Sequence, residues 1–405
     1  MNTSPIDRVR NALVAALIVS MTPFVTFAED AAEKDSAEFT ISMFDGKSLD
    51  GWVIENGTEV TVQDGAILLK GGDGWLHTPG VYRDFQLHVE WMALQTENYD
   101  AGIYLRAGKD GAPFPKRGYQ ANMLQGKEGN IGKIPGAAST GLAHPAGEWN
   151  TFDITVIGNV VEMAINGQPA YKVEGIDLEP GFVGIQVEVP KGGQFLVRKF
   201  DLVEIGYSSL FNGEDFTQWE GADGPADACW TVKEGTLQCT GTNGPWLRSK
   251  DTYGDFNLRF DYQLSPGGNS GVYVRVPADG NHHRKNDQEP IAGFEVQVLD
   301  DNAPQYATLL DYQYSGSVYD IAGASPRVSK PAGEWNTLEI NCQGQNITTV
   351  HNGEVIVNVT PEAHPMILLR EQMGHLGLQN HQSVVKFRNL RIGPALHDDA
   401  KTTSP

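Results

Sequence analysis

Apolar and polar residues alternate with period two along most of this chain, in short runs bounded by Gly, Asn and Asp. Phe85–Trp91, Thr151–Val156 and Thr337–Ile340 are examples. In each, every second side chain is apolar, so one face can enter a core while the other meets water. No stretch shows the 3.6-residue period of a long amphipathic helix. Many short strands joined by turn residues predict an all-β fold of jelly-roll β-sandwiches. Two runs, Gly267–Arg275 and Gly293–Asp300, put polar residues where an outer face would be. In the first, Val272, Val274 and Val276 are expected to point inward, with Gly271, Tyr273 and Arg275 outside. In the second, Val296 and Val298 point inward and leave Glu295 and Gln297 outside. Together they predict a polar floor of Tyr, Arg, Glu and Gln.

The pattern occurs twice. Phe44-Asp45-Gly46 with Trp52 is answered by Phe211-Asn212-Gly213 with Trp219. Ala101–Arg106 answers Ser270–Arg275, Gly118–Leu124 answers Gly293–Leu299, and Pro145–Thr151 answers Pro331–Thr337 without a mismatch. Ile165-Asn166-Gly167 matches His351-Asn352-Gly353, where Asn-Gly predicts a tight hairpin. Gly184-Ile185-Gln186 matches Gly377-Leu378-Gln379. An ordered series of this kind predicts two copies of one domain, residues 39–205 and 206–394. The interval from Gly271 to Trp335 exceeds its counterpart, Gly102 to Trp149, by 17 residues. The additions fall near Asn281–Pro290 and Leu309–Ser325, loops above the strand face, where binding and catalysis concentrate.

Composition narrows the setting. Arg8 and Arg10 precede an apolar stretch from Ala12 to Val19, and Thr26-Phe27-Ala28 offers small residues for cleavage. Residues 1–28 are therefore expected to be a secretory signal, followed by a flexible acidic spacer, 29–38. Residues 395–405 read as a polar tail. The mature chain is expected to be exported, periplasmic or extracellular, without a membrane span. Net charge is −21, or −22 without the leader, which argues against nucleic acid as a partner. The three cysteines, Cys229, Cys239 and Cys342, match no zinc spacing. Cys229 and Cys239 flank a hairpin at Lys233-Glu234-Gly235, so a disulfide between them stays open.

Several motifs of the second copy resemble one family: residues 211–219, Gly268–Arg275, Gly293–Asp300, Ser315–Ile321, Gly333–Asn336 and Gly377–His381. They are similar to the 3-keto-disaccharide hydrolase domain family, and the resemblance extends over both copies. It implies concanavalin A-like sandwiches and action on glycosides oxidised to a ketone at C3. A sugar 3-dehydrogenase would then act in the same pathway. Such a ketone acidifies the hydrogen at C2, so a base can remove it and the enolate can expel the group at C1; water then adds. One base, a stabiliser for the enolate oxygen and an acid for the leaving group suffice.

On this reading Glu295 is the candidate base, or the group that orients it, and Arg275 the candidate partner of the ketone or enolate oxygen. His381, expected beside Gln379 on the outer face of another strand, is a candidate acid–base group. Asn269, Tyr273, Gln297, Asp300, Tyr319, Asp320 and Gln379 are candidate substrate contacts. His381 with Glu295 and Gln297 could also hold a divalent ion, so metal dependence stays open. His282 and His283 read as a solvated loop. The first copy keeps Tyr104 and Arg106 but has Gln120 for Glu295, Asn122 for Gln297, Gln125 for Asp300 and Glu188 for His381. A neutral amide is no base, so this copy reads as sugar-binding or structural. Two rival functions remain: a tandem carbohydrate-binding protein without turnover, and a conventional glycosidase using Glu295 and a loop aspartate.

Overall fold

Burial follows the alternation strand by strand. Phe85–Ala93 buries Phe85, Leu87, Val89, Trp91 and Ala93, and Asn336–Gln343 buries Asn336, Leu338, Ile340 and Cys342. The computed structural model describes residues 40–396, all within one compact unit. The expected leader and spacer, and most of the tail, lie outside the described residues. Among the described residues there are strands and short 3₁₀ turns but no α-helix, and no helix long and apolar enough to cross a membrane.

Each copy is a sandwich of an eight-stranded and a five-stranded antiparallel sheet. In the first copy the small sheet runs Val53–Glu55, Asp73–Tyr82, Gly181–Glu188, Gly102–Ala107, Tyr119–Asn122. In the second it runs Trp219–Gly221, Leu247–Tyr253, Gly374–Leu378, Asn269–Val276, Phe294–Leu299, the same order shifted along the chain. The large sheets also correspond strand for strand. The Asn-Gly turns sit where expected: Asn166-Gly167 and Asn352-Gly353 both take positive φ and close two-residue hairpins.

Each sandwich encloses its own core. In the second copy, Phe256, Leu258, Phe260 and Tyr262 of the large sheet meet Val272, Val274, Val296, Val298, Leu376 and Leu378 of the small one. Each such apolar side chain stabilises the fold by about 1.5–3 kcal/mol.

The strand Phe256–Leu264 also buries Asn257 and Arg259 on its other face, where Asn257 accepts from Tyr207 and Arg259 meets the first sandwich. Glu204, at the end of the first copy's last strand, accepts from Arg259 and, at 2.7 Å, from Arg391 Nε. Arg259 also donates to Val81 O at 2.8 Å, and Lys109 pairs with Glu354 at 3.1 Å. The copies are thus joined through buried charge as well as through the chain.

A candidate acid–base site on the second sandwich

The outer face of the second copy's small sheet is bare at two glycines. A Cβ at Gly271 would collide with the Glu295 carboxylate, and one at Gly377 would collide with the Trp246 ring. The missing side chains let Glu295 and Trp246 lie flat against the backbone. Glu295, directly across from Tyr273 in the register, is only 4% exposed. Gln379 Nε2 donates to the Tyr273 hydroxyl at 3.1 Å, and Trp246 packs edge-on against the Tyr273 ring at 5.3 Å. Asp223, Asn243, Trp246, Tyr273 and Gln379 line an open cleft beside them. Gln297, one step along the face, donates to Asn269 Oδ1 at 3.1 Å.

Both insertions close over this floor. The first places the His282 ring on Tyr273, 4.6 Å away and 23° from parallel. His282 Nε2 stands 3.2 Å from Glu295 Oε2, and Nδ1 is 3.0 Å from Gly280 O. A carbonyl only accepts, so Nδ1 carries a proton, and the contact between Nε2 and a carboxylate oxygen requires another. The contact therefore holds one proton between the imidazole and the Glu295 carboxyl group. Burial alone would lower the His282 pKa, but the hydrogen bond to Glu295 and its charge outweigh this and raise it above the ordinary value. Burial, with the Glu295 charge beside it, holds the Tyr273 hydroxyl far above the usual phenol range, so it stays a neutral donor.

The second insertion lays its chain beside Phe294–Leu299. Gly316 N donates to Gln297 O at 2.8 Å, and Tyr319 N donates to Glu295 O at 2.9 Å. This delivers Asp320, whose Oδ2 accepts from His283 Nδ1 at 2.9 Å, and Tyr319, whose ring meets His283 at 5.8 Å. The two insertions thus meet above the floor.

The structure brings together Glu295, Tyr273 and Gln379, with Gln297 and Asn269 alongside and Tyr319 and Asp320 at the rim. Three expected residues stand elsewhere. Arg275 is not on the outer face: the register shifts between Tyr273 and Val276, and Arg275 takes a φ of 52°. Its buried guanidinium donates to Gly254 O and Gly344 O and pairs with Asp255 at 3.1 Å. His381 is exposed in the loop after Gly374–Leu378 rather than on the strand, so the ligand set of His381, Glu295 and Gln297 does not assemble around the Glu295–His282 contact. Among the described residues no cluster of three or more His, Cys, Asp or Glu could hold a metal ion. Asp300 serves its turn, accepting from Gly267 N at 2.8 Å. The residue that sequence reasoning missed is His282, and the signal was available: it lies in an insertion that the first copy lacks. Cys229 and Cys239 are free thiols, and both hydrogen-bond Asn380.

The first copy keeps the platform but has an amide, Gln120, where the second has Glu295. Gln120 donates to Gln186, which donates to Glu188, which is held by Lys191. Trp75, at the position of Trp246, is buried against His77 and Phe182. Arg106 repeats the role of Arg275, donating to Arg83 O at 2.7 Å and Gly158 O at 2.9 Å.

The chain is similar to several known proteins. A family model described as a 3-keto-alpha-glucoside-1,2-lyase-like domain matches residues 40–200 and 206–393. A curated 3-keto-disaccharide hydrolase from Bacteroides thetaiotaomicron is 28% identical over 225 residues, 46% of this chain and 78% of the relative. A solved structure from Parabacteroides distasonis, provisionally described as a glycosyl hydrolase, is 24% identical with a TM-score of 0.40, over 47% of this chain and 94% of that one. A carbohydrate-binding module from Bacillus subtilis is 15% identical with a TM-score of 0.31, over 44% and 97%. With its model matched across both sandwiches, the chain belongs to the 3-keto-alpha-glucoside-1,2-lyase-like domain family, in two tandem copies.

Proposed function

We propose that the second sandwich cleaves the glycosidic bond of 3-keto-glycosides by elimination and hydration. The observation that carries this is the Glu295–His282 contact at 3.2 Å: a buried acid and an imidazole side by side, next to the cleft lined by Trp246, Tyr273 and Gln379. Glu295 takes the proton from C2, and the electron pair becomes the enolate of the C3 ketone. The enolate collapses, C1=C2 forms, and the C1–O bond breaks as His282 Nε2 gives its proton to the departing oxygen. Water then adds to C1 as neutral His282 takes its proton, and Glu295 returns a proton to C2. The net reaction is hydrolysis, and both groups end as they began.

The Tyr273 hydroxyl takes the role first expected of Arg275. It accepts from Gln379 and keeps its own proton for the ketone oxygen. Gln379 Oε1, buried without a partner, suits a sugar hydroxyl. The first copy, with Gln120 and no counterpart of His282, serves a structural role. On this reading the protein is exported by residues 1–28 and receives its substrate from an enzyme that oxidises the sugar at C3.

The deciding assay gives purified protein a 3-keto-glucoside and its unoxidised parent, followed by NMR. Release from the keto form alone is expected. Equal release from both would mean a conventional glycosidase, and binding without release a carbohydrate-binding protein. Sequencing the N-terminus of periplasmic material tests export, with Glu29 expected first.

A further inference from the structure

An unbroken row of rings crosses the second sandwich's face. Trp246 meets Tyr273 at 5.3 Å, Tyr273 meets His282 at 4.6 Å, and His282 meets His283 at 4.0 Å. His283 meets Tyr319 at 5.8 Å, and Tyr319 meets Tyr312 at 5.4 Å. His282, with Glu295 against it, sits in the middle, so the acid–base pair divides the row into two walls.

The walls differ in chemistry. Around Trp246 stand Asp223, Asn243 and Gln379, hydrogen-bonding groups matched to the hydroxyls of a sugar ring. On the other side the polar atoms are already turned on one another. The Tyr319 hydroxyl accepts from Gln313 Nε2 at 2.8 Å, and Asp320 accepts from His283. What that wall offers a ligand is ring surface, extended by Leu310, which is 58% exposed on the turn that carries Tyr312. A second hexose needs several hydrogen bonds on desolvation, whereas a flat apolar group needs only contact area.

Resting on the reaction proposed above, we propose that Tyr312, Tyr319 and His283 form the leaving-group subsite, and that this subsite takes an aromatic leaving group: the natural substrates are 3-keto-glycosides of phenols. The phenol oxygen is then the atom that His282 protonates as the C1–O bond breaks. The second insertion contributes Tyr312 and Tyr319, so the wall belongs to the second copy alone.

The test compares phenyl and glucosyl 3-keto-glucosides of the same anomeric configuration, with both anomers measured. Because a phenol leaves more readily than a sugar alcohol, the informative quantity is each variant's kcat/KM relative to wild type. Tyr312→Ala should lower kcat/KM about five- to tenfold for the phenyl substrate and less than about twofold for the glucosyl one. Tyr312→Phe, which keeps the ring, should behave as wild type. Equal losses on both substrates, or a larger loss on the glucosyl one, would overturn the aromatic assignment. If wild type releases nothing from any 3-keto substrate, the reaction itself fails and the wall is tested alone by saturation-transfer NMR with unreactive phenyl glucoside. Saturation of the phenyl protons by wild type that disappears in Tyr312→Ala would then support the subsite. No saturation by wild type, or the same saturation by both proteins, would sink it.

Discussion

His282 Nε2 lies 3.2 Å from Glu295 Oε2, and that contact joins a loop present in one copy to a strand present in both. The strand supplies a carboxylate that the other copy has exchanged for an amide. The loop supplies the imidazole that sits against it.

Glu295→Gln therefore removes the proposed base while preserving shape. Turnover of a 3-keto-glucoside should fall about 10²–10⁴-fold. Gln120→Ala, at the equivalent place in the first copy, should leave kcat/KM within about twofold. Steady-state kinetics on both variants checks the assignment of catalysis to the second sandwich, and full activity in Glu295→Gln would refute it.

The raised His282 pKa gives pH dependence a definite sign. The protonated imidazole is bound to Glu295 in the folded state, so its stabilisation is complete below the ordinary histidine value of about 6.5. It is lost as pH rises through the higher folded value. In the proposed reaction the acid form also protonates the leaving group, so kcat should fall on the same alkaline limb. His282→Gln should flatten that limb in a pH–rate profile and remove the matching component from a plot of unfolding free energy against pH.

Arg275 and His381 should part from catalysis in different ways. Arg275→Ala leaves half-buried carbonyls of Gly254 and Gly344 without their donor, and should cost about 1–3 kcal/mol in denaturant unfolding. Arg106→Ala should cost a similar amount through Arg83 and Gly158. His381→Ala changes an exposed loop residue and should alter neither stability nor kcat measurably. A selective loss of kcat in His381→Ala would restore it as a catalytic group.

Gly271→Ala tests the bare floor. The backbone there is ordinary strand, so the fold should survive, but the added methyl displaces the carboxylate of Glu295. Turnover should drop about tenfold or more while the melting temperature stays within a few degrees. Gly102→Ala presses only on Gln120 and should leave turnover alone.

The repeat, the paired sheets and the Asn-Gly hairpins were legible because each follows from spacing and local backbone preference. Val272, Val274, Val296 and Val298 enter the core as alternation requires. Arg275 defeated the same rule because alternation assumes an uninterrupted pleat, and a left-handed residue at that point turns the side chain away. A clue lay in Arg106: an arginine kept by the copy that lost its carboxylate points to architecture. His282 escaped for the opposite reason. Loops carry no period, and its partner lies on a strand the loop reaches only in three dimensions.

Glu204 carries a consequence for how this protein can be handled. It belongs to the first sandwich yet neutralises Arg259 and Arg391 inside the second, and stripping a buried pair of one member costs about 3–5 kcal/mol. A truncation that begins at residue 206 would remove Glu204, leaving Arg259 with Glu339 alone and Arg391 without that carboxylate. On the function proposed above the first sandwich acts as a folding partner to its neighbour, and a chain starting at residue 206 should unfold at lower denaturant than the tandem.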